Sequence, residues 1–285
     1  MADKRKKLTI PDIRGRKAGP PLAMLTAYDY CRAHIADQAG MDMILAGDSL
    51  GMVMLGLPGT ATVTMDDMIH HSRAVARAVE QALVVTDMPF GSCCSERDAV
   101  TNAVRLVKEG GAEAVKIEGG VAIAKIAGAV VRAGVPVQGH VGLTPQTAVN
   151  LGGFKVQGKD AQAARRLVDD ALAMEDAGCF SVVLEAMPGP LAARITERLS
   201  VPTVGIGAGN QCDGQVLVMH DLLGLYDRFT PKFVKQYARL GEIATQAMRD
   251  YIQDVAERRF PAEEHSFTMK AEELDKLLAD LAETC

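Results

Sequence analysis

The sequence predicts an α/β chain folded as a (β/α)8 TIM barrel with a C-terminal helical extension. Three observations predict it. Apolar runs rich in Val, Ile and Leu recur eight times, stretches with helical spacing separate them, and polar residues gather where the runs end. Strands alternating with helices mean parallel βαβ units. Runs that are nearly continuous in apolar character suit strands covered on both faces. Eight such units in 285 residues suit a closed barrel. A doubly wound open sheet is the alternative fold, but it usually carries G-x-G-x-x-G after its first strand. Here the glycine-rich turn "GIGAGN" (205–210) follows the seventh run, with different spacing.

In chain order, "LTIPDIRGRK" is a short segment expected to close the barrel bottom. The strands are expected in "AMLTAYD" (23–29), "MDMILAGDS" (41–49), "ALVVTDMPF" (82–90), "AEAVKIEGG" (112–120), "VPVQGHVGLT" (135–144), "FSVVLEAMPG" (180–189), "VPTVGIGAG" (201–209) and "QVLVMHDLLG" (215–224). Helical spacing marks 66–81, 95–111 and 160–179, and two of these end in Gly-Gly or Ala-Gly, as helix C-termini often do. From Phe229 onward the spacing predicts a long amphipathic helix, then "PAEEHSF" and a polar helical end. The expected organisation is one domain: an N-terminal cap over 1–22, the barrel over 23–228, and the extension over 229–285, packed on the barrel or on a neighbouring subunit.

Composition excludes other classes. Hydrophobic residues make up 48% and charged residues 24%, as in ordinary globular proteins. A net charge of -5 argues against a nucleic-acid surface. The one basic cluster, Lys4 to Lys7, reads as a solvated start of chain. No run approaches the roughly 20 apolar residues of a membrane helix, and no basic region precedes an apolar core at the N-terminus. A cytoplasmic location is expected. The six cysteines, Cys31, Cys93, Cys94, Cys179, Cys212 and Cys285, form no C-x-x-C pair and are expected to be reduced thiols.

The polar residues carry the functional argument. Asp48 and Ser49 end the second run, Asp87 the third, Lys116 and Glu118 the fourth, His140 the fifth and Glu185 the sixth. In a (β/α)8 barrel these ends converge on the mouth where active sites form. Helix capping explains Asp87 and Glu185 poorly, since each is followed by Met-Pro and then an expected loop. Alternation puts Ala114, Lys116 and Glu118 on one face, Asp87 with Val85, and Glu185 with Val183, so the charges face the axis. Burying unpaired charges costs several kcal/mol each. Structural ion pairs would account for some of them, including a pair between Glu185 and Lys116. Four carboxylates against one lysine leave excess negative charge, and a divalent cation resolves it. Oxygen ligands without a Cys cluster suit Mg²⁺.

Asp48 and Asp87 are the expected direct metal ligands, with Glu118 a third, directly or through water. Such an ion can chelate a 2-oxo acid and stabilise its enolate. Lys116 would hold the substrate's negative oxygens, and Ser49 would donate a hydrogen bond to it. Glu185, among apolar neighbours that raise its basicity, would be the proton acceptor. His140 is either a satisfied core histidine or a substrate contact. His70 and His71 are expected to have no chemical role. Gly205–Gly209 suits either a phosphate-binding turn or a tight turn that only glycine fits.

Nine segments, "LTAYD", "ILAGDSLGMVMLG", "DMPFGS", "VKIEGG", "GHVGLTPQ", "LEAMP", "GIGAG", "DGQVLVMHDLLG" and "PAEEHSF", occur in the order found in the ketopantoate hydroxymethyltransferase family. The chain resembles that family from about residue 8 to about residue 268. The resemblance implies a (β/α)8 barrel assembled as a decamer, Mg²⁺ dependence, and a step of pantothenate, hence coenzyme A, synthesis. In that step 5,10-methylenetetrahydrofolate gives a hydroxymethyl group to 3-methyl-2-oxobutanoate to form 2-dehydropantoate. It implies Asp48, Asp87 and Glu118 at the metal, Asp48, Ser49, Asp87 and Lys116 at the oxo acid, and Glu185 as proton acceptor.

Three rivals remain. A Mg²⁺-dependent lyase or mutase of the phosphoenolpyruvate mutase and isocitrate lyase type would share barrel and enolate chemistry, but usually carries alternating aspartates and glycines where this chain reads "TDMPFGSCC". A Schiff-base aldolase would need Lys116 neutral, and Glu118 beside it disfavours that. A barrel kept only as a ligand-binding or assembly module would find the inward carboxylates dispensable.

Overall fold

The computed structural model describes residues 5–283. Lys4 of the basic cluster and Cys285 lie outside the described residues. The chain divides into two compact units, Met1–Tyr237 and Ala238–Cys285. In the first, eight parallel strands close in sequence order into a barrel. They are β1 Leu22–Thr26, β2 Met43–Ala46, β3 Leu83–Asp87, β4 Ala114–Glu118, β5 Val137–Gly142, β6 Ser181–Glu185, β7 Thr203–Ile206 and β8 Gly214–Leu217. The helices are α1 Ile10–Arg14, α2 Tyr30–Gln38, α3 Leu50–Val53, α4 Met65–Ala78, α5 Glu96–Lys108, α6 Val121–Arg132, α7 Ala161–Asp176, α8 Gly189–Arg198 and α9 Met219–Leu222. The (β/α)8 barrel expected from the sequence is the observed fold.

Period-two alternation sorts the side chains as expected. Met24, Met43, Leu45, Leu83, Val85, Ala114, Val183, Val204 and Val216 fill the interior. Val115, Ile117, Val182 and Leu184 face the outer helices. Fully buried Ile13 of α1 joins the interior cluster, so the opening segment plugs the interior. Helices start on side-chain caps: Thr64 for α4, Ser95 for α5 and Asp160 for α7. Gly111 and Gly178, past the ends of α5 and α7, take left-handed backbone, as the Gly-Gly and Ala-Gly ends suggested.

Four expectations need correction. The eighth run is not one strand: β8 ends at Leu217 and α9 starts at Met219. The tail is not helical from Phe229, because α10 begins only at Leu240. Pro231 has no N–H to continue a helical ladder, and Tyr237 instead donates its backbone N–H to Leu222 O. The basic start is not merely solvated. Arg5 pairs with buried Asp42, and Lys7 Nζ reaches Glu113 at 2.7 Å and Ala82 O at 2.7 Å. Finally, the loop expected after Glu185 is short, because α8 begins at Gly189, four residues on.

The second unit holds α10 Leu240–Ala256 and α11 Ala271–Glu283, neither of which buries a residue. Its apolar residues, such as Ile243, Tyr251, Ile252 and Leu277, are exposed. No described helix is long and apolar enough to cross a membrane. The five described cysteines are free thiols.

Candidate active site

Strand register builds the site. β3 and β4 pair Asp87 with Lys116, β4 and β5 pair Glu118 with His140, and β5 and β6 pair Gly142 with Glu185. Neighbours in register on one face of a barrel lie side by side, so the inward polar residues meet. Lys116 Nζ lies 2.8 Å from Asp87 Oδ1 and 3.8 Å from Glu118 Oε1. It also lies 3.1 Å from His140 Nδ1. His140 Nε2 faces Glu185 Oε2 at 3.1 Å. Asp87 Oδ2 accepts the backbone N–H of Asp48 at 2.9 Å, which ties β3 to the turn after β2.

These groups line one cavity of about 530 Å³ at the C-terminal end of the barrel. Asp48, Ser49, Asp87, Lys116, Glu118, His140 and Glu185 all face it. Every site residue singled out from the sequence therefore reaches the same space. Asp48, Asp87, Lys116 and His140 are buried, and Glu185 is the most open of the charged group, with its side chain 15% exposed.

Burial first, then Asp87 and Glu118, pushes the Asp48 carboxyl well above the usual range. Burial opposes a charged Lys116, but Asp87, Glu118 and Asp48 outweigh it and keep the ammonium protonated. Burial also opposes a charged Glu118, and His140, Lys116 and the Gln146 N–H together outweigh that and lower its pKa. Burial and Lys116 oppose a positive His140, yet Glu118 and Glu185 hold its pKa up, at about 9. His140 Nδ1 also lies 3.5 Å from Glu118 Oε1. The neutral ring accepts there from Lys116, while the protonated ring turns that nitrogen to Glu118, and the flanking carboxylates favour the protonated form.

Glu185 does not pair with Lys116, the structural alternative raised by the sequence; its partner is His140. It caps no helix either, because α8 starts on Pro188 without a side-chain cap. Gly142 sets its place. A Cβ there would sit 2.2 Å from Glu185 O, at a backbone φ of 104°. The Gly119-Gly120 end of β4 also serves packing. A Cβ on Gly120 would lie 2.0 Å from Asp170 Oδ1, whose carboxylate accepts the Val121 N–H that opens α6. "GIGAGN" forms a tight turn with left-handed backbone at Gly207 and Gly209.

Four residues escaped the sequence reading. Gln146, in the 3-10 turn Pro145–Leu151, donates its side-chain amide to Asp48 Oδ2 at 2.8 Å and to Met88 O at 2.9 Å. Its backbone N–H reaches Glu118 Oε2 at 3.2 Å. Tyr28, just past the end of β1, shares a 2.8 Å hydrogen bond with Ser49 Oγ. His71 holds that tyrosine through Tyr28 O, 2.7 Å from its Nδ1, so it is a support rather than an idle helix residue. Asp221 lines the cavity from α9. Its signal lay within "MHDLLG", hidden by reading that stretch as strand.

Asp48, Asp87 and Glu118 are the groups that could hold a cation. Among the described residues, no three His, Cys, Asp or Glu side chains converge on one ready-made metal position. Mg²⁺ fits such a set, because it usually takes one or two carboxylates and keeps waters. The raised Asp48 carboxyl, crowded by Asp87 and Glu118, marks the uncompensated charge that a cation would relieve.

Solved structures share the fold. Phosphonopyruvate hydrolase in complex with oxalate and Mg²⁺ matches with a TM-score of 0.60 at 14% identity, covering 97% of this chain and 97% of that one. A phosphoenolpyruvate phosphomutase from Streptomyces platensis subsp. rosaceus matches with a TM-score of 0.59 at 18% identity, covering 97% and 98%. Sequence relatives are nearer. The 3-methyl-2-oxobutanoate hydroxymethyltransferase of Oleidesulfovibrio alaskensis is 57% identical over 267 residues, covering 93% of this chain and 92% of that protein. The enzyme of that name from Carboxydothermus hydrogenoformans is 53% identical over 273 residues, covering 95% and 99%. The family model described as ketopantoate hydroxymethyltransferase matches residues 7–263. Its span takes in every strand of the barrel and every residue of the buried charge cluster, and the chain belongs to the ketopantoate hydroxymethyltransferase family.

Proposed function

We propose that this chain transfers a hydroxymethyl group from 5,10-methylenetetrahydrofolate to 3-methyl-2-oxobutanoate, giving 2-dehydropantoate, in the cytoplasm. The observation that carries the reading is the pairing of two dyads in one cavity, Lys116 with Asp87 and Glu185 with His140. The first suits an anionic oxo acid, and the second suits proton removal from its C3.

Mg²⁺ held by Asp48 and Asp87, with Glu118 acting through water, would supply the Lewis acid that polarises the keto group. The chain's own groups do the rest. Lys116, kept charged by its three carboxylate neighbours, holds the negative oxygens of the oxo acid. Ser49, steadied by Tyr28, presents its hydroxyl beside Asp48. Glu185 accepts the C3 proton, and His140 orients its carboxylate. Gln146 clamps Asp48 and Glu118 from the loop after β5. The transferred carbon ends bonded to C3 and to a hydroxyl supplied by water, and tetrahydrofolate leaves.

Proton NMR in D₂O tests this reading. Wild type should exchange the C3 hydrogen of 3-methyl-2-oxobutanoate only with Mg²⁺ present, and Glu185→Gln should lose about 10²- to 10⁴-fold of that rate. Undiminished exchange after chelation or in Glu185→Gln overturns the assigned roles. Adding the folate donor should then form 2-dehydropantoate; exchange without product favours a lyase or mutase.

The family likeness also supports a homo-oligomer, in line with the implied decamer. The unburied apolar faces of α10 and α11 suit subunit contacts. Sedimentation of the full chain checks the mass of the assembly.

A further inference from the structure

We infer that Asp221 is the anchor for the pterin ring of the folate co-substrate, accepting the two N–H donors of its 2-amino-pyrimidinone edge. The inference rests on the proposed function for the identity of the donor, and on four observations for its place.

Asp221 lines the cavity, yet its carboxylate has no hydrogen-bond or ion-pair partner among the described residues. It is only 8% exposed. Burial alone pushes its pKa to about 6, so it is ionised at neutral pH but poorly solvated. A buried carboxylate without a donor costs stability, and such groups persist where a ligand supplies the donors. The adjacent His220 does not neutralise it, since burial lowers the His220 pKa to about 4.

Its position is fixed from below. The first residue of α9, Met219, donates its backbone N–H to Thr26 Oγ1 of β1 at 3.0 Å. The His220 ring packs against Tyr28, with centroids 5.4 Å apart. Asp221 therefore stands on the β8–β1 side of the mouth. Lys116, His140 and Glu185 come from β4 to β6, on another arc of the barrel.

The surrounding wall is aromatic. Tyr226, Phe229 and Phe233 line the same cavity, and Phe233 packs over Gly207 in the turn after β7. A volume of about 530 Å³ falls within the range of drug-sized ligands and exceeds the need of a five-carbon oxo acid. A flat heteroaromatic ring fits such walls. Its amino group and ring N–H form two parallel donors spaced to match the two oxygens of one carboxylate, as a guanidinium fork does. The oxo acid, with no N–H at all, cannot use Asp221 in that way.

Affinity for two probes tests the assignment: tetrahydrofolate and its 2-desamino-2-methyl analogue, each titrated by calorimetry against the full chain with Mg²⁺ and 3-methyl-2-oxobutanoate present. Wild type should bind tetrahydrofolate about 10- to 100-fold tighter than the analogue, the size expected for hydrogen bonds to a charged group. Asp221→Ala and Asp221→Asn should weaken tetrahydrofolate by a similar factor and shrink that preference at least fivefold. Circular dichroism melts show whether each variant is folded, and Asp221→Asn, nearly isosteric, keeps the test open if the alanine variant is not. A preference retained in a folded variant, or its absence from a wild type that still forms 2-dehydropantoate, overturns the role of Asp221 alone. A wild type that binds neither probe and forms no product overturns the folate reading as well.

Discussion

Asp87 and Lys116 face each other across the β3–β4 register, and their side chains meet at 2.8 Å with almost no exposure to solvent. Removing one member of such a buried pair leaves the other charge uncompensated, at a cost of about 3–5 kcal/mol. Lys116→Met should therefore lower the unfolding free energy by about that much in metal-free buffer. Because it also strips the counter-charge from three carboxylates, Mg²⁺ should recover more stability in the variant than in wild type. Urea titrations with and without Mg²⁺ measure both effects, and a variant as stable as wild type without metal contradicts the pairing.

Gln146 works at one remove from the chemistry. Its amide holds Asp48 Oδ2 while its backbone N–H holds Glu118. Outer groups that orient ligands are worth about 10–100-fold in metal affinity. Gln146→Met, which keeps the bulk and loses the donor, should weaken Mg²⁺ by about that factor in calorimetry on the folded chain. Unchanged affinity would show that Asp48 is held without it.

Gly142→Ala should be among the most damaging single-methyl changes in this chain. The added carbon would overlap Glu185 O, and the backbone angle of 104° disfavours any L side chain. Strain of this kind, with displaced packing, costs about 2–4 kcal/mol. The C3 exchange rate should fall further than that of a control such as Gly134→Ala, where a Cβ meets open space at a similar φ of 91°. Equal effects at the two sites would separate Gly142 from the placement of Glu185.

Asp221 gives a pH signature. Its folded pKa is raised, to about 6, so below about 4 it costs nothing, and stability is lost as pH rises through the folded value. His220 is lowered, to about 4, and shifts stability the opposite way over the same range. Wild-type melting alone would blur the two. The difference between wild type and Asp221→Asn isolates the carboxylate. The variant should gain on the order of 2 kcal/mol relative to wild type between pH 4 and pH 7. A flat difference over that window contradicts an unpartnered Asp221.

The barrel was legible because its signals are local. Period-two alternation names the inward face without any knowledge of tertiary structure, which is why Lys116, Glu118, Asp87 and Glu185 could be aimed at the axis. Gln146 was not legible, since its reach to Asp48 spans 98 positions and depends on how one 3-10 turn sits over the mouth. Asp221 was lost for a different reason. "QVLVMHDLLG" is mostly apolar, and periodicity cannot separate a short buried strand from the buried turn of helix that follows it. His140 was half read: its place at a strand end was visible, while its two carboxylate neighbours come from β4 and β6 and emerge only on closure.

The proton-moving and anion-holding groups come from consecutive strands β3 to β6, whereas Asp221 and the aromatic wall follow β7 and β8. With Asp221 as the proposed pterin anchor, the mouth divides by chain position into an acceptor half and a donor half. On that assignment, substitutions within 205–237 would alter binding of the one-carbon carrier and leave the enolate-forming strands in their native sequence. For a laboratory seeking new carbon–carbon bond formers, that division would make the two substrates separately adjustable.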